Sequence, residues 1–409
     1  MSIINIFSGV FCKEEDIIRK LLDNTKYSLV SENDIITRAS ILSGMAESRI
    51  KKTFTSKTSV FNRFTHEKER SLAYLKLAVA ETIAGGEKII AGFAGQLIPS
   101  DISHVLRICL IADMKYRSSL AAEKQGLSEK ESIIYIHKFD ENCALWIKNL
   151  FDKDDPWDPS LYDIVIPMDK MSIDEAADLI EKNAAADVVQ ATKISKKKAE
   201  DFLLSAKVEV ALTKSGHNAE VSSADGVVLL TVNRHVLRLS RLEEELKSVA
   251  GKVPGVKSVE TKVGKKYYQA DVYRKCDFKM PAKVLVVDDE RDFAQTLSER
   301  LLLRDMGSAV AYDGESALNI VHEDEPEVMI LDLKMPGING IEVLRKVKES
   351  RPEIEVIILT GHGSEEDRKL CKKLGAFAYL QKPVDIELLS STLKKANEKI
   401  QKKAGLSGT

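Results

Sequence analysis

From Lys283 onward the chain repeats one pattern. KVLVVDDE, SAVAY, VMILDLKMPG, EVIILTGHG and AFAYLQKP are short apolar runs. Between them lie FAQTLSERLLL, ESALNIVHE, IEVLRKVKES and EEDRKLCKKLG, whose apolar residues recur at helical spacing, and a last helix is expected from Asp385. Each helix carries the chain back to the edge where the previous strand began, so successive strands run parallel and the helices cover both faces. The expectation is an α/β fold: a five-stranded doubly wound sheet, with functional residues at the carboxyl ends of its strands.

The polar residues obey that rule. Asp288 and Asp289 end the first strand, Asp332 the third, Thr360 the fourth and Lys382 the fifth. Carboxylates converging on one edge repel one another unless a cation sits among them. Mg²⁺ suits such a place, being small, hard and content with one or two carboxylates plus waters. A carboxylate beside it can take a phosphoryl group as an acyl phosphate. Lys382 would neutralise the incoming charge, and the Thr360 hydroxyl would reach a phosphoryl oxygen.

VVDDE, ILDLKMPG, LTGHG and LQKP together make residues 281–403 resemble a response-regulator receiver domain. The resemblance implies Asp332 as phosphoacceptor, with Mg²⁺ held by Asp288, Asp289, Asp332 and the Lys334 backbone carbonyl. It implies that Thr360 and Lys382 sense the phosphoryl group and that Tyr379 is an aromatic switch turning inward with Thr360. It also implies a sensor histidine kinase or phosphotransfer protein as the phosphoryl donor. No DNA-binding segment is expected after KKANEKIQKKAGLSGT, which finishes a helix and frays.

A chain of 409 residues exceeds one ordinary core and predicts two to four domains. Its formal charge of −2 gives no general attraction to nucleic acid or anionic membrane. KISKKKAE and VGKKYY read as solvated faces, so nucleic acid is not expected as a partner. Cys12, Cys109, Cys143, Cys276 and Cys371 are scattered without a CxxC, which suits a reducing compartment. With neither a secretory signal nor a long apolar span in view, the expected location is cytoplasmic.

Residues 195–277 read as a helix, a hairpin around ADG, a second helix and the strand in VPGVKSVETKV. That order, with DGVVLLTV and PGVKSVETKV, resembles a BON domain, a small α+β module whose family is linked to membrane surfaces or partner proteins. Nothing catalytic is visible there, and His217 and His235 read as surface histidines.

Residues 1–190 are a further α/β segment, with strands expected at IINIF, KIIAGF, VLRICLIA and YDIVIPM and a Ser172/Glu175 capping box opening the helix SIDEAADLI. The strand–turn–helix start, YSLVSENDII, LRICLIADMKYR, GLSEKES, KFDEN and DPSLYDIVI resemble the cytidylate kinase-like family of phosphate-loop enzymes. The opening loop departs from it. SGVFCKEED holds one glycine and no GK[ST], leaves Lys13 as the one candidate phosphate ligand, and puts Glu14, Glu15 and Asp16 at the helix N-terminus. A phosphate loop needs inward N–H groups, a lysine and a hydroxyl. These acids suit the helix dipole and repel a triphosphate. In HKFDENC, Asp140 remains while His137 and Cys143 stand where the family's arginines would; Lys138 and Arg117 are the remaining cations to compensate. Binding of ATP or CMP is therefore not expected. Cys12 is read as a buried structural thiol rather than a reactive one.

The expected function is a phosphorelay response regulator signalling through contacts of its kinase-like and BON-like domains. The alternative is a phosphorylation-regulated nucleoside monophosphate kinase.

Overall fold

The computed structural model describes residues 2–54, 59–236, 238–265, 267, 281, 283–304, 306–361 and 363–403. Cys276 and the fraying expected of the last residues lie outside these. The chain divides into two compact units, residues 1–58 with 68–273 and residues 59–67 with 274–409. No helix among the described residues is long and apolar enough to cross a membrane.

The first unit opens with β1 (Ile3–Ser8), followed by β2 (Ser28–Val30), β3 (Lys88–Ala91), β4 (Val105–Ile111) and β5 (Ile164–Pro167). These form a parallel sheet in the order β2-β3-β1-β4-β5. Side chains alternate across it, as the two-residue period of a strand requires. Ile3, Phe7, Val105 and Cys109 enter one core with Trp146, while Ile4, Ile6, Leu106 and Ile108 enter the other with Ile17, Leu21, Ala176 and Ile180. Both faces being buried explains why these strands read as continuous apolar runs. The capping box at Ser172 and Glu175 is present as expected.

The helix Lys193–Lys214 then leads to β6 (Glu220–Ala224), β7 (Val227–Val232), the helix Leu239–Ala250 and β8 (Ser258–Val263). β6 pairs antiparallel with β7 and β7 parallel with β8. Asp225 (φ 54°) and Gly226 (φ 85°) both take the left-handed conformation that a tight hairpin turn demands. Sequence patterning sets a boundary before this module, but its first helix serves two cores. Ala206 and Val210 join the core around Trp146, whereas Val208 and Leu212 face β7. That sharing makes one compact unit of the two segments.

His217 departs from expectation. It is 2% exposed, with Nε2 3.5 Å from a Glu245 carboxylate oxygen, because the turn after Lys214 folds it under the helix Leu239–Ala250. His235 is exposed, as expected.

In the second unit β9 (Val284–Val287), β10 (Ser308–Ala311), β11 (Val328–Leu331), β12 (Glu355–Thr360) and β13 (Ala378–Gln381) form a parallel sheet in the order β10-β9-β11-β12-β13. Leu285, Val287, Met329, Leu331, Val356 and Ile358 pack under the helices Gly314–Asp324 and Gly340–Ser350. Val284, Val286, Val328, Ile330, Ile357 and Leu359 pack under Arg291–Leu302 and Ile386–Lys403. Phe61, fully buried, belongs to the first of these clusters.

Candidate functional site

At the carboxyl edge of the second unit, β9 delivers Asp288 and Asp289, β11 delivers Asp332, β12 ends on Thr360 and β13 runs into Lys382. Each of the three aspartates offers a carboxylate oxygen within 4.8 Å of the others. Asp288 and Asp332 are buried and Asp289 is exposed. Lys382 Nζ lies 2.7 Å from Asp288 Oδ2, 2.9 Å from Glu290 Oε1 and 3.3 Å from Asp332 Oδ2. The other Asp332 oxygen accepts from the Leu333 N–H at 2.7 Å and the Lys334 N–H at 3.4 Å.

Burial opposes charge on Lys382, but its hydrogen bonds to Asp288 and Glu290 and the Asp332 charge outweigh that and hold its pKa above the ordinary value. Burial pushes the Asp288 carboxyl up even though Lys382 faces it. One ammonium thus serves Asp288, Glu290 and Asp332, with Asp289 beside them. This excess of closely spaced hard oxygens fits a small divalent cation.

The opening loop has the opposite polarity from a phosphate cradle. The Arg117 guanidinium, 6% exposed, donates from Nε to the Val10 carbonyl at 2.8 Å and makes two bonds to Asp140, of 2.8 and 2.7 Å. The Ser8 hydroxyl donates to the Gly9 carbonyl at 2.8 Å, and the Cys12 thiol lies 3.8 Å from the Val10 carbonyl. The loop therefore turns carbonyl oxygens toward its donors, where an anion site presents N–H groups. Cys12 is 1% exposed, and burial pushes its thiol up to about 12, which suits a structural role. Lys13 sits in the left-handed conformation at the head of helix Glu14–Asn24, its ammonium 5.7 Å from the Tyr116 ring centre.

Glu14 follows directly. Burial, then the charges of Glu32 and Glu15, push its carboxyl up to about 7. The folded state thus holds a proton that the unfolded state releases near pH 4.5, so this group costs stability as pH rises from about 4.5 through about 7. Because the side chain keeps some solvent contact, Glu14→Gln should stabilise the first unit at pH 8 by only about 1–2 kcal/mol, and by little at pH 4. Trp146 and Trp157 are the chain's 2 tryptophans, so urea unfolding followed by tryptophan fluorescence reads this unit alone. An equal effect at both pH values would contradict the assignment.

The family model for the response regulator receiver domain matches residues 284–394. These residues are a response regulator receiver domain. The model of the cytidylate kinase-like family matches residues 3–170. A receiver domain protein from Clostridium thermocellum is 36% identical, covering 30% of this chain and 98% of its own, at a TM-score of 0.29. The receiver domain of the Francisella response regulator 1452 is 30% identical, covering 29% and 98%, at a TM-score of 0.28. A CheY-like receiver domain protein from Methanospirillum hungatei JF-1 is 26% identical, covering 29% and 96%, at a TM-score of 0.29.

Asp288, Asp289, Asp332, Thr360 and Lys382 gather at the strand edge, where Lys382 contacts Asp288 and Asp332, whereas Tyr379 stands within β13 opposite Ile358. Two neighbours were not singled out in the sequence. Glu290 takes one of the Lys382 bonds, and the Phe293 ring lies beneath the ammonium, 4.4 Å from its centre. Glu290 was visible as the last letter of VVDDE. Phe293 carried no signal, since its spacing is that of any core-facing helix residue.

Proposed function

We propose that Asp332 is the phosphoacceptor of a two-component response regulator whose output passes through protein contacts of the kinase-like and BON-like modules. The observation that carries this is the buried Asp332 carboxylate, held by main-chain N–H groups on one oxygen and facing Lys382 at 3.3 Å on the other. The acceptor is thereby oriented, and an ammonium waits where phosphoryl charge would arrive.

In the transfer, an Asp332 oxygen forms the new O–P bond while the donor's P–N bond breaks, and the electron pair of that bond stays on the donor imidazole. Lys382 offsets the charge gained at the site, and the Thr360 hydroxyl, on the same edge, would donate a hydrogen bond to a phosphoryl oxygen. Asp288, Asp289, Asp332 and the Lys334 carbonyl would hold Mg²⁺, which when bound screens the phosphoryl oxygens from these carboxylates.

Phosphoryl uptake from acetyl phosphate is the direct test. Asp332→Asn should lose acid-stable, hydroxylamine-sensitive labelling altogether, while circular dichroism stays native. Labelling that survived would remove Asp332 from its role.

The kinase-like segment is read as a module that no longer transfers phosphate, because its loop carbonyls and Arg117 satisfy one another. A nucleoside monophosphate kinase remains the alternative, and CMP-dependent ADP formation by the full chain would establish it. A membrane-surface role for the BON-like module would appear as co-sedimentation with anionic liposomes that is lost on replacing the Lys193–Lys198 lysines.

A further inference from the structure

The first unit holds a cavity of about 310 Å³ at the amino edge of its parallel sheet, away from the opening loop. β1 and β4 begin side by side there, the Ile3 N–H donating to the His104 carbonyl at 2.9 Å. The opposite wall is the helix Lys193–Lys214, through Lys196, Ala199, Glu200 and Leu203. These follow the three- and four-residue spacing of one helix face, so the cavity runs along about two turns, or roughly 10 Å. Its walls thus come from a sheet and from a helix that also packs on β7, a junction of the kind where small-molecule pockets gather. A cavity of about 150 Å³ holds benzene, so twice that volume admits roughly ten to twelve heavy atoms.

The lining changes character along the helix. At one end stands Lys196, near enough to the buried His104 that its charge, after burial itself, holds the imidazole below its ordinary pKa. The ring is therefore uncharged at neutral pH and offers hydrogen bonds without a charge of its own. Two turns on, Leu203 lines the cavity, and the buried Ile3 and Ile83 close the sheet side. The Ser2 hydroxyl holds one corner, donating to the Ala184 carbonyl at 2.8 Å and lying 2.5 Å from the Tyr27 hydroxyl. Glu200 is exposed at the lip, one turn from Lys196. It disfavours an occupant that is anionic along its length and favours one whose single negative charge stays at the Lys196 end.

We propose that this cavity binds a medium-chain monocarboxylate, with its carboxylate at Lys196 and His104 and its hydrocarbon laid along Ala199 and Leu203 between the helix and the sheet edge. The hydrocarbon supplies the affinity by leaving water, and the charge decides which end enters first. The site is independent of the receiver and of its phosphoryl chemistry.

The test titrates the full chain, ¹³C-labelled at its Ile and Leu methyl groups, with octanoate, 1-octanol and octylammonium. Octanoate should bind at roughly 10–100 µM and move the methyl resonances of Ile3, Ile83 and Leu203 before any others. No shift at these methyls below about 1 mM octanoate, or shifts centred elsewhere, overturns the proposal. Lys196→Met, at an exposed position, should weaken octanoate about two- to fivefold and leave 1-octanol unchanged. Equal binding of octanoate and 1-octanol, or a loss shared by both in Lys196→Met, overturns the carboxylate assignment. Octylammonium binding more tightly than octanoate overturns it too, since Glu200 would then set the charge of the occupant. Ala199→Phe, which fills the cavity, should abolish octanoate binding while circular dichroism stays native, and binding retained by that folded variant overturns the site. Should Ala199→Phe fail to fold, the methyl map of the parent chain still decides.

Discussion

Asp140→Asn should destabilise the first unit by about 3–5 kcal/mol, read as a leftward shift of the tryptophan-monitored urea transition. The Arg117 guanidinium is 6% exposed, so removing the carboxylate leaves a buried cation whose remaining bond is to a neutral carbonyl. Arg117→Ala should cost a similar amount by a different route, stranding the Val10 carbonyl and Asp140 and opening a void against Gly9. Exchanging both for apolar residues, Arg117→Met with Asp140→Leu, should recover a large part of the loss, because a buried ion pair repays little more than its own desolvation. If either single change costs less than about 1 kcal/mol, the pair is not the loop's keystone. The same experiment bears on nucleotide. A millimolar concentration of Mg-ATP should leave the parent transition where it is, whereas a ligand at 100 times its dissociation constant would add about 2.7 kcal/mol.

The second large effect is expected at Lys382. Lys382→Met keeps most of the stem's volume and removes the ammonium that Asp288, Glu290 and Asp332 share. Phosphoryl uptake should fall steeply, since the ammonium facing Asp332 no longer offsets the arriving charge. Mg²⁺ binding, measured by calorimetry on the full chain, should instead tighten. Removing the unit charge that competes for these carboxylates should be worth about 1–2 kcal/mol to a divalent cation, or roughly tenfold in affinity. A generic loss of structure would weaken both measurements together, and that outcome would refute the electrostatic account. The opposed signs are what separate a charge-balancing lysine from one that merely supports the fold.

The receiver was legible residue by residue because its chemistry sits at strand ends. A strand's period and its last residue can both be read from letters, so VVDDE, ILDLKMPG, LTGHG and LQKP placed Asp288, Asp289, Asp332, Thr360 and Lys382 on one edge before any coordinates. In the same way the missing glycines of SGVFCKEED were enough to doubt a phosphate cradle. What filled that loop was not legible. Arg117 and Val10 are far apart in the chain, and an arginine four residues past Asp113 looks the same whether it faces solvent or a carbonyl.

Sequence alone thus determined the strand–helix alternation, the two-faced sheets and the acidic edge, since periodicity and strand order depend on local pattern. Tertiary structure decided everything that depends on partners distant along the chain. It buried His217 beneath a helix and gave one face of the helix Lys193–Lys214 to each of two cores. It set Arg117 between Val10 and Asp140, and seated the Tyr379 hydroxyl in the space above Gly363. The reason is the same in each case: a side chain's desolvation and pairing are set by what packs against it, and packing neighbours are chosen by the fold rather than by adjacency in sequence.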